Sequence, residues 1–204
     1  MNTLNRRTLL SAAALASFGL FATPAFAVDA AELSKPPELG DMSMGPADAK
    51  VTVIEYASAT CPHCAKFHKD VFPLLKAQYI DTNKIRFVFR EYPLNDPALA
   101  AFMIARAAPK EAYFPLIDTF FITLETWAQN PAEGLLNIAK QAGFTKEQFD
   151  AALKDEAMAK KILAIRADGE KFGVDGTPTF FVNGEKLGGE QTIEALKAKI
   201  DPLL

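Results

Sequence analysis

The sequence predicts a mixed α/β domain whose two halves are separated by a block of helices. Three observations carry this expectation. Two β-rich segments early in the chain flank a helical stretch, which makes them a parallel pair joined by a right-handed crossover. A long run of helical signals follows with no strand in it. A short hairpin and a closing helix then complete the α/β half. The chain has 204 residues, half of them hydrophobic, enough for one real core.

Residues 1–27 read as a secretory signal peptide. A basic start (MNTLNRR) precedes an apolar run (TLLSAAALASFGLFA), and Ala25-Phe26-Ala27 is the small-residue pattern that places cleavage before Val28. The apolar run is shorter than the roughly 20 residues a membrane span needs. Arg6-Arg7 ahead of Thr8-Leu9-Leu10 partly matches a twin-arginine signal, and ordinary secretion fits as well. Removing residues 1–27 takes away two arginines and no acid. That leaves 20 basic against 25 acidic side chains, a net charge of −5. Such a chain is a poor partner for nucleic acid or an anionic membrane.

Residues 28–49 contain proline and glycine without a period, and are expected to form an extended arm. Residues 50–92 open the α/β domain. Lys50–Ser58 (KVTVIEYAS) is nearly all apolar and suits a strand covered on both faces. Cys61 to about Ile80 reads as a helix that Pro73 should kink. Lys84–Tyr92 alternates Ile85, Phe87 and Phe89 on one face, so it is a second strand. Residues 93–173 are helical, with starts at Asp96-Pro97, Asn130-Pro131 with Glu133, and Thr145 with Gln148. Gly143 and Gly173 are the stops. The aromatic residues of this block (Phe102, Phe114, Phe120, Phe121, Trp127) are expected in its core. Residues 174–204 return to the α/β domain. Phe180–Val182 and Glu185–Leu187 form a hairpin about Asn183-Gly184, and Ile193, Leu196 and Ile200 share one face of the closing helix.

The chemistry concentrates in "YASATCPHCAKFHKD". It holds the only cysteines, Cys61 and Cys64, and the only histidines, His63 and His68. An exported protein lives where disulfides persist, yet a scaffold stapled by disulfides has more than two cysteines. A thiol attacks only as thiolate. Cys61 follows a strand and opens a helix, so unpaired backbone N–H groups and the positive end of the helix dipole face its sulfur. Pro62 sits in the first turn, where it loses no hydrogen bond. His63 adds a donor or a positive charge, and Cys64 lies one turn on, near enough to close a disulfide with Cys61. Lowering the pKa of one thiol stabilises the reduced pair and makes the disulfide an oxidant. A purely structural disulfide would remove little entropy across so short a loop. A metal site would have Cys61, Cys64 and His68 as its three ligands, and would suit Cu(I) better than zinc. His68 by itself reads as a partly exposed packing residue.

Cys61-Pro62-His63-Cys64 resembles the active-site tetrad of the DsbA-type periplasmic thiol oxidases, thioredoxin-fold proteins with an inserted helical domain. The likeness runs from about Met44 to Leu204. Glu55 stands six residues before Cys61, where the family keeps a buried acid able to relay protons to Cys64. Gly176-Thr177-Pro178-Thr179 precedes the late strand, where the thioredoxin fold places a cis-proline beside the active site, and Thr177 would offer backbone groups to an incoming peptide. Pro73 matches the family's kink, and residues 93–173 match its insertion. The resemblance therefore implies an α/β thioredoxin-like fold with an inserted α-helical domain, working in the periplasm without a cofactor. A thiolate of a folding exported protein would attack Cys61, and its second thiol would displace Cys61 and leave the substrate oxidised. Cys64 would be the resolving thiol, and a DsbB-like quinone-linked membrane protein the reoxidant. Thr177 departs from the archetypal oxidases, which more often place valine there. Threonine is common in disulfide isomerases, so an isomerase or reductase stays open as the alternative, with a copper-handling module behind it.

Overall fold

The computed structural model describes residues 29–204; the expected signal peptide lies outside the described residues. Five strands form one sheet: β1 (Met42–Met44), β2 (Val51–Ala57), β3 (Ile85–Glu91), β4 (Thr179–Val182) and β5 (Glu185–Gly188), in the order β1-β3-β2-β4-β5. β2 and β3 are parallel, and every other pair is antiparallel. The helical stretch between β2 and β3 supplies the crossover that parallel strands require.

Burial on both faces explains why β2 and β3 read as nearly unbroken apolar runs. Val51, Val53 and Ala57 join the larger core with the helices, whereas Ile54 and Tyr56 point to a second, smaller core with Val88, Ile165 and Phe181. Alternation puts Glu55 on the same face as Val53 and Ala57, and it is 0% exposed. An acid has thus been threaded into the main core.

The arm is less extended than the sequence suggested. It begins with a short helix, α1 (Ala30–Ser34), whose N-terminal N–H groups Asp29 caps. It then supplies β1, which pairs Met42 with Phe89 on the free edge of β3. Three residues are too few for a period to show. Gly45 ends the strand at φ +82°, where a Cβ would meet the Ile85 carbonyl oxygen.

The helix after β2 breaks where proline predicts. α2 (Pro62–Asp70) gives way at Val71 to α3 (Phe72–Leu75), followed by a π-turn at Lys76–Ile80. The inserted block is α4 (Asp96–Ala107), α5 (Tyr113–Ile122), α6 (Leu124–Trp127), α7 (Pro131–Gln141), α8 (Lys146–Leu153) and α9 (Glu156–Lys171). Asn95, one residue before the expected start, caps α4 by accepting from Ala98 N at 3.0 Å. Thr145 and Gln148 form a reciprocal capping box on α8. Asn130 does not cap α7; its amide donates to Glu133 instead. Phe102, Phe120, Phe121 and Trp127 are buried, and Phe114 is half-buried.

One buried cluster fastens this block to the sheet. Arg106 of α4 donates to both carboxylate oxygens of Glu91 at the end of β3, at 2.5 and 2.9 Å. Tyr113 of α5 donates to the same carboxylate at 2.6 Å. α10 (Ile193–Ile200) closes the chain. Among the described residues no helix is long and apolar enough to cross a membrane.

Candidate active site

Cys61 stands at the C-terminal end of β2's face of the sheet, as the N-cap residue of α2. Its own N–H donates to Ser58 and its carbonyl accepts from Ala65, so the first turn closes directly on it. Pro62 takes the first helical position at no cost in hydrogen bonds. Across from the tetrad, the Thr177–Pro178 peptide is cis. It presents the Thr177 carbonyl to Cys61, 3.3 Å from Sγ. Asn95 and Thr60, in contact at 3.2 Å, tie the loop before the tetrad to the start of α4.

The two sulfurs have opposite environments. The Cys61 pKa is lowered from 9.0 to about 5. The hydrogen bond from the Cys64 thiol is the main cause; burial opposes it, and the Thr177 hydroxyl and the backbone N–H groups of Cys64 and His63 add to it. The Thr177 hydroxyl is buried and makes no hydrogen bond of its own; the contact within bonding distance of Cys61 is the Thr177 carbonyl. Cys64 is 0% exposed and its thiol is held far above the usual range, first by burial, then by donating to Cys61, then by the Glu55 carboxylate. One helix turn therefore separates a ready thiolate from a thiol that keeps its proton.

The expected site residues come together with one rearrangement. His63 is 71% exposed at its side chain, and its ring meets Glu190 at 3.3 Å. Lys66 donates to the same carboxylate. It is the His63 backbone N–H that favours the Cys61 thiolate. His68 corrects the sequence reading: it is buried, not partly exposed, and its Nε2 lies 2.9 Å from Glu55 Oε2. The set Cys61, Cys64 and His68 does not converge on a metal position among the described residues. His68 is paired to an acid instead. Burial acts to lower its pKa, but Glu55 and then Asp118 outweigh burial and raise it to about 9.

Sequence reasoning missed Asp118 and Glu190, which come from α5 and from the loop after β5. His68 did leave a signal, because it lies four residues after Cys64 and so on the same helix face. A groove of about 630 Å³ opens beside Pro62, between α2 and the α5–α6 corner, lined by Ala65, Lys69, Phe121 and Leu124. Ile122 on its rim is 60% exposed.

Comparison with known proteins places this geometry. A family model described as thioredoxin matches residues 37–202. A Rickettsia bellii relative, named for an inferred protein-disulfide oxidoreductase activity, is 36% identical over 79% of this chain; the chain spans 63% of that relative's length. A Bacillus anthracis relative, named for an inferred role as disulfide bond formation protein D, is 30% identical over 78% of this chain and 76% of its own. The crystal structure of Wolbachia pipientis alpha-DsbA1 superposes with a TM-score of 0.78 at 30% identity, over 84% of this chain and 94% of that one.

Proposed function

Because the chain belongs to the DsbA-like branch of the thioredoxin family, we propose that it is an exported thiol–disulfide oxidoreductase that donates its Cys61–Cys64 disulfide to folding proteins. The asymmetry of the two sulfurs carries this reading: Cys61 titrates at about 5 and Cys64 is fully buried. Cys61 keeps 5% exposure against 0% for Cys64, so it is the sulfur an incoming thiolate would reach. A substrate thiolate forms a bond to Cys61 Sγ, the Cys61–Cys64 bond breaks, and Cys64 leaves with the electron pair and takes up a proton. The substrate's second thiolate then attacks its own sulfur in the mixed disulfide and expels Cys61 as thiolate. The low pKa of Cys61 makes it the better leaving group in that step.

The remaining residues have supporting roles in this scheme. Pro62 shapes the first turn, and the His63 and Cys64 N–H groups hold the thiolate. Thr177, ahead of cis-Pro178, offers its backbone groups where an extended peptide would lie. The groove beside Pro62 leaves room for its apolar side chains. Glu55 exchanges the proton of Cys64. The expected signal peptide would bring the chain to the periplasm, where a DsbB-like membrane protein would reoxidise it. Thr177 favours one second reading, an isomerase or reductase that works in the reduced form.

The reduction potential separates the two, measured from the redox state of the pair in graded glutathione buffers. A value near about −120 mV supports a disulfide donor, and one near about −270 mV puts the reductase first. Cys61→Ser is expected to abolish exchange; residual activity would remove Cys61 as the nucleophile.

A further inference from the structure

Each cycle of disulfide exchange adds or removes a proton at Cys64, yet that sulfur is 0% exposed. Glu55 is close enough for its charge to act on Cys64, and it is equally sealed from water. One of its oxygens, Oε1, has no hydrogen-bond partner; the other meets His68 Nε2 at 2.9 Å. The His68 ring is 2% exposed at its side chain and stacked on Phe121, with centroids 4.2 Å apart. Its far nitrogen, Nδ1, has no partner within hydrogen-bond geometry and lies 3.6 Å from Asp118 Oδ1. The Asp118 side chain is 43% exposed. The charged groups that face the ring are Glu55 from β2 and Asp118 from α5. Its aromatic neighbours are Phe67, Phe72, Phe89 and Phe121. Glu55, His68 and Asp118 thus lie in order between the sealed thiol and the surface, joined by a hydrogen bond at Glu55–His68 and by close approach without one at either end.

We propose that His68 and Asp118 are the outlet through which the buried Cys64 exchanges its proton with solvent, one proton leaving His68 Nδ1 for each that reaches Glu55. This rests on the disulfide-exchange reading above. During reoxidation, Cys64 attacks Cys61 in a mixed disulfide: the Cys64–Cys61 bond forms, the bond to the oxidant's sulfur breaks, and that sulfur leaves with the electron pair. The Cys64 thiol and Glu55 Oε1 are not in hydrogen-bond contact, so the Cys64 proton crosses to that oxygen through one bridging water. Neutralising Glu55 removes the charge that held the imidazolium, so Nδ1 releases its proton to Asp118 and on to water. Nε2–H stays aimed at Glu55 throughout. When a substrate opens the disulfide, Glu55 returns a proton to the Cys64 thiolate and the ring reloads at Nδ1 from Asp118. The raised pKa of His68, about 9, keeps the ring protonated at neutral pH and ready to release. His68 and Asp118 act through Glu55 and are positioning residues in this sense.

The test is the rate at which a small dithiol reduces the oxidised full chain, followed by acid quench and thiol labelling in H₂O and D₂O. Asp118→Asn sits at the surface and keeps the side chain's shape. It is expected to slow the reaction at least about tenfold and to raise the solvent isotope effect; Asp118→Ala, which leaves the carboxylate's place empty, is expected to be equally slow and to recover when acetate is added. His68→Gln keeps a donor to Glu55 without a titratable nitrogen; it is expected to be slow, and no slower when combined with Asp118→Asn. If His68→Gln fails to fold, the two Asp118 variants still decide. Rates within about twofold of the parent for both Asp118→Asn and Asp118→Ala overturn the outlet. So does a slowed Asp118→Ala that ignores acetate together with an unchanged isotope effect in Asp118→Asn, because the residue is then only structural. A parent protein that exchanges no disulfide at all removes the functional reading instead.

Discussion

Lowering the pH through the Cys61 titration changes how many protons accompany reduction of the cysteine pair. Cys61 is lowered from 9.0 to about 5 and Cys64 is raised, so above pH 5 the reduced protein holds one thiolate and one thiol. Two electrons then bring one proton, and the midpoint potential falls about 30 mV per pH unit. Below pH 5 both sulfurs are protonated and the slope doubles to about 59 mV. A thiol left at 9.0 would show the steep slope through the whole neutral range. Linkage sets the sign. A depressed pKa stabilises the folded reduced form above the unfolded value of 9.0, and that contribution is lost as the pH falls through about 5. At pH 7 it amounts to about 2.7 kcal/mol. Solvent screening on the open side of the sulfur brings it nearer about 2 kcal/mol. For a two-electron couple that is about 40 mV toward an oxidant. The assay equilibrates the protein with graded glutathione, traps thiols in acid, and repeats this from about pH 4 to about pH 8. A single slope of about 59 mV across the range would refute the assigned asymmetry.

Three further perturbations probe the same structure. Thr177→Val removes a buried hydroxyl that favours the Cys61 thiolate and is otherwise unpaired. The Cys61 pKa, read from thiolate absorbance, should rise by about one unit with little loss of thermal stability; an unmoved titration would take Thr177 out of the site. His68 is raised from 6.5 to about 9, so its contribution to stability is complete below pH 6.5 and lost as the pH rises through about 9. Urea unfolding should weaken over that window by on the order of 3 kcal/mol, and equal midpoints at both ends would contradict the pairing with Glu55. Arg106→Met leaves Glu91 buried with its charge uncompensated. It should cost about 3–5 kcal/mol, much of it recovered when Glu91→Leu is added; a loss that the second change does not touch would point to packing instead.

Much of the fold was legible because its signals are local. The kink at Pro73, the capping box at Thr145 and the Asn183-Gly184 turn, with φ of +45° and +91°, depend on a few adjacent residues. The parallel pair was legible because two faces of burial leave an unbroken apolar run in β2 and β3. β1 was not, since a three-residue edge strand exists only by pairing with Phe87–Phe89.

The site divides along the same line. A thiol pair at a helix start is written in the local pattern, because spacing within one turn brings Cys64 to Cys61 and the helix N-terminus favours a thiolate there. The groups that surround that pair are brought there by packing between distant segments. Thr177 reaches Cys61 from 116 positions away, and Glu190 reaches His63 from 127. His68 became a buried charge partner and not a surface residue because β2 places Glu55 on the inner face of the sheet and α5 brings Asp118 over the ring. A charge is tolerated at such depth only beside its opposite, and which opposite it meets is settled by chain segments that no local pattern connects.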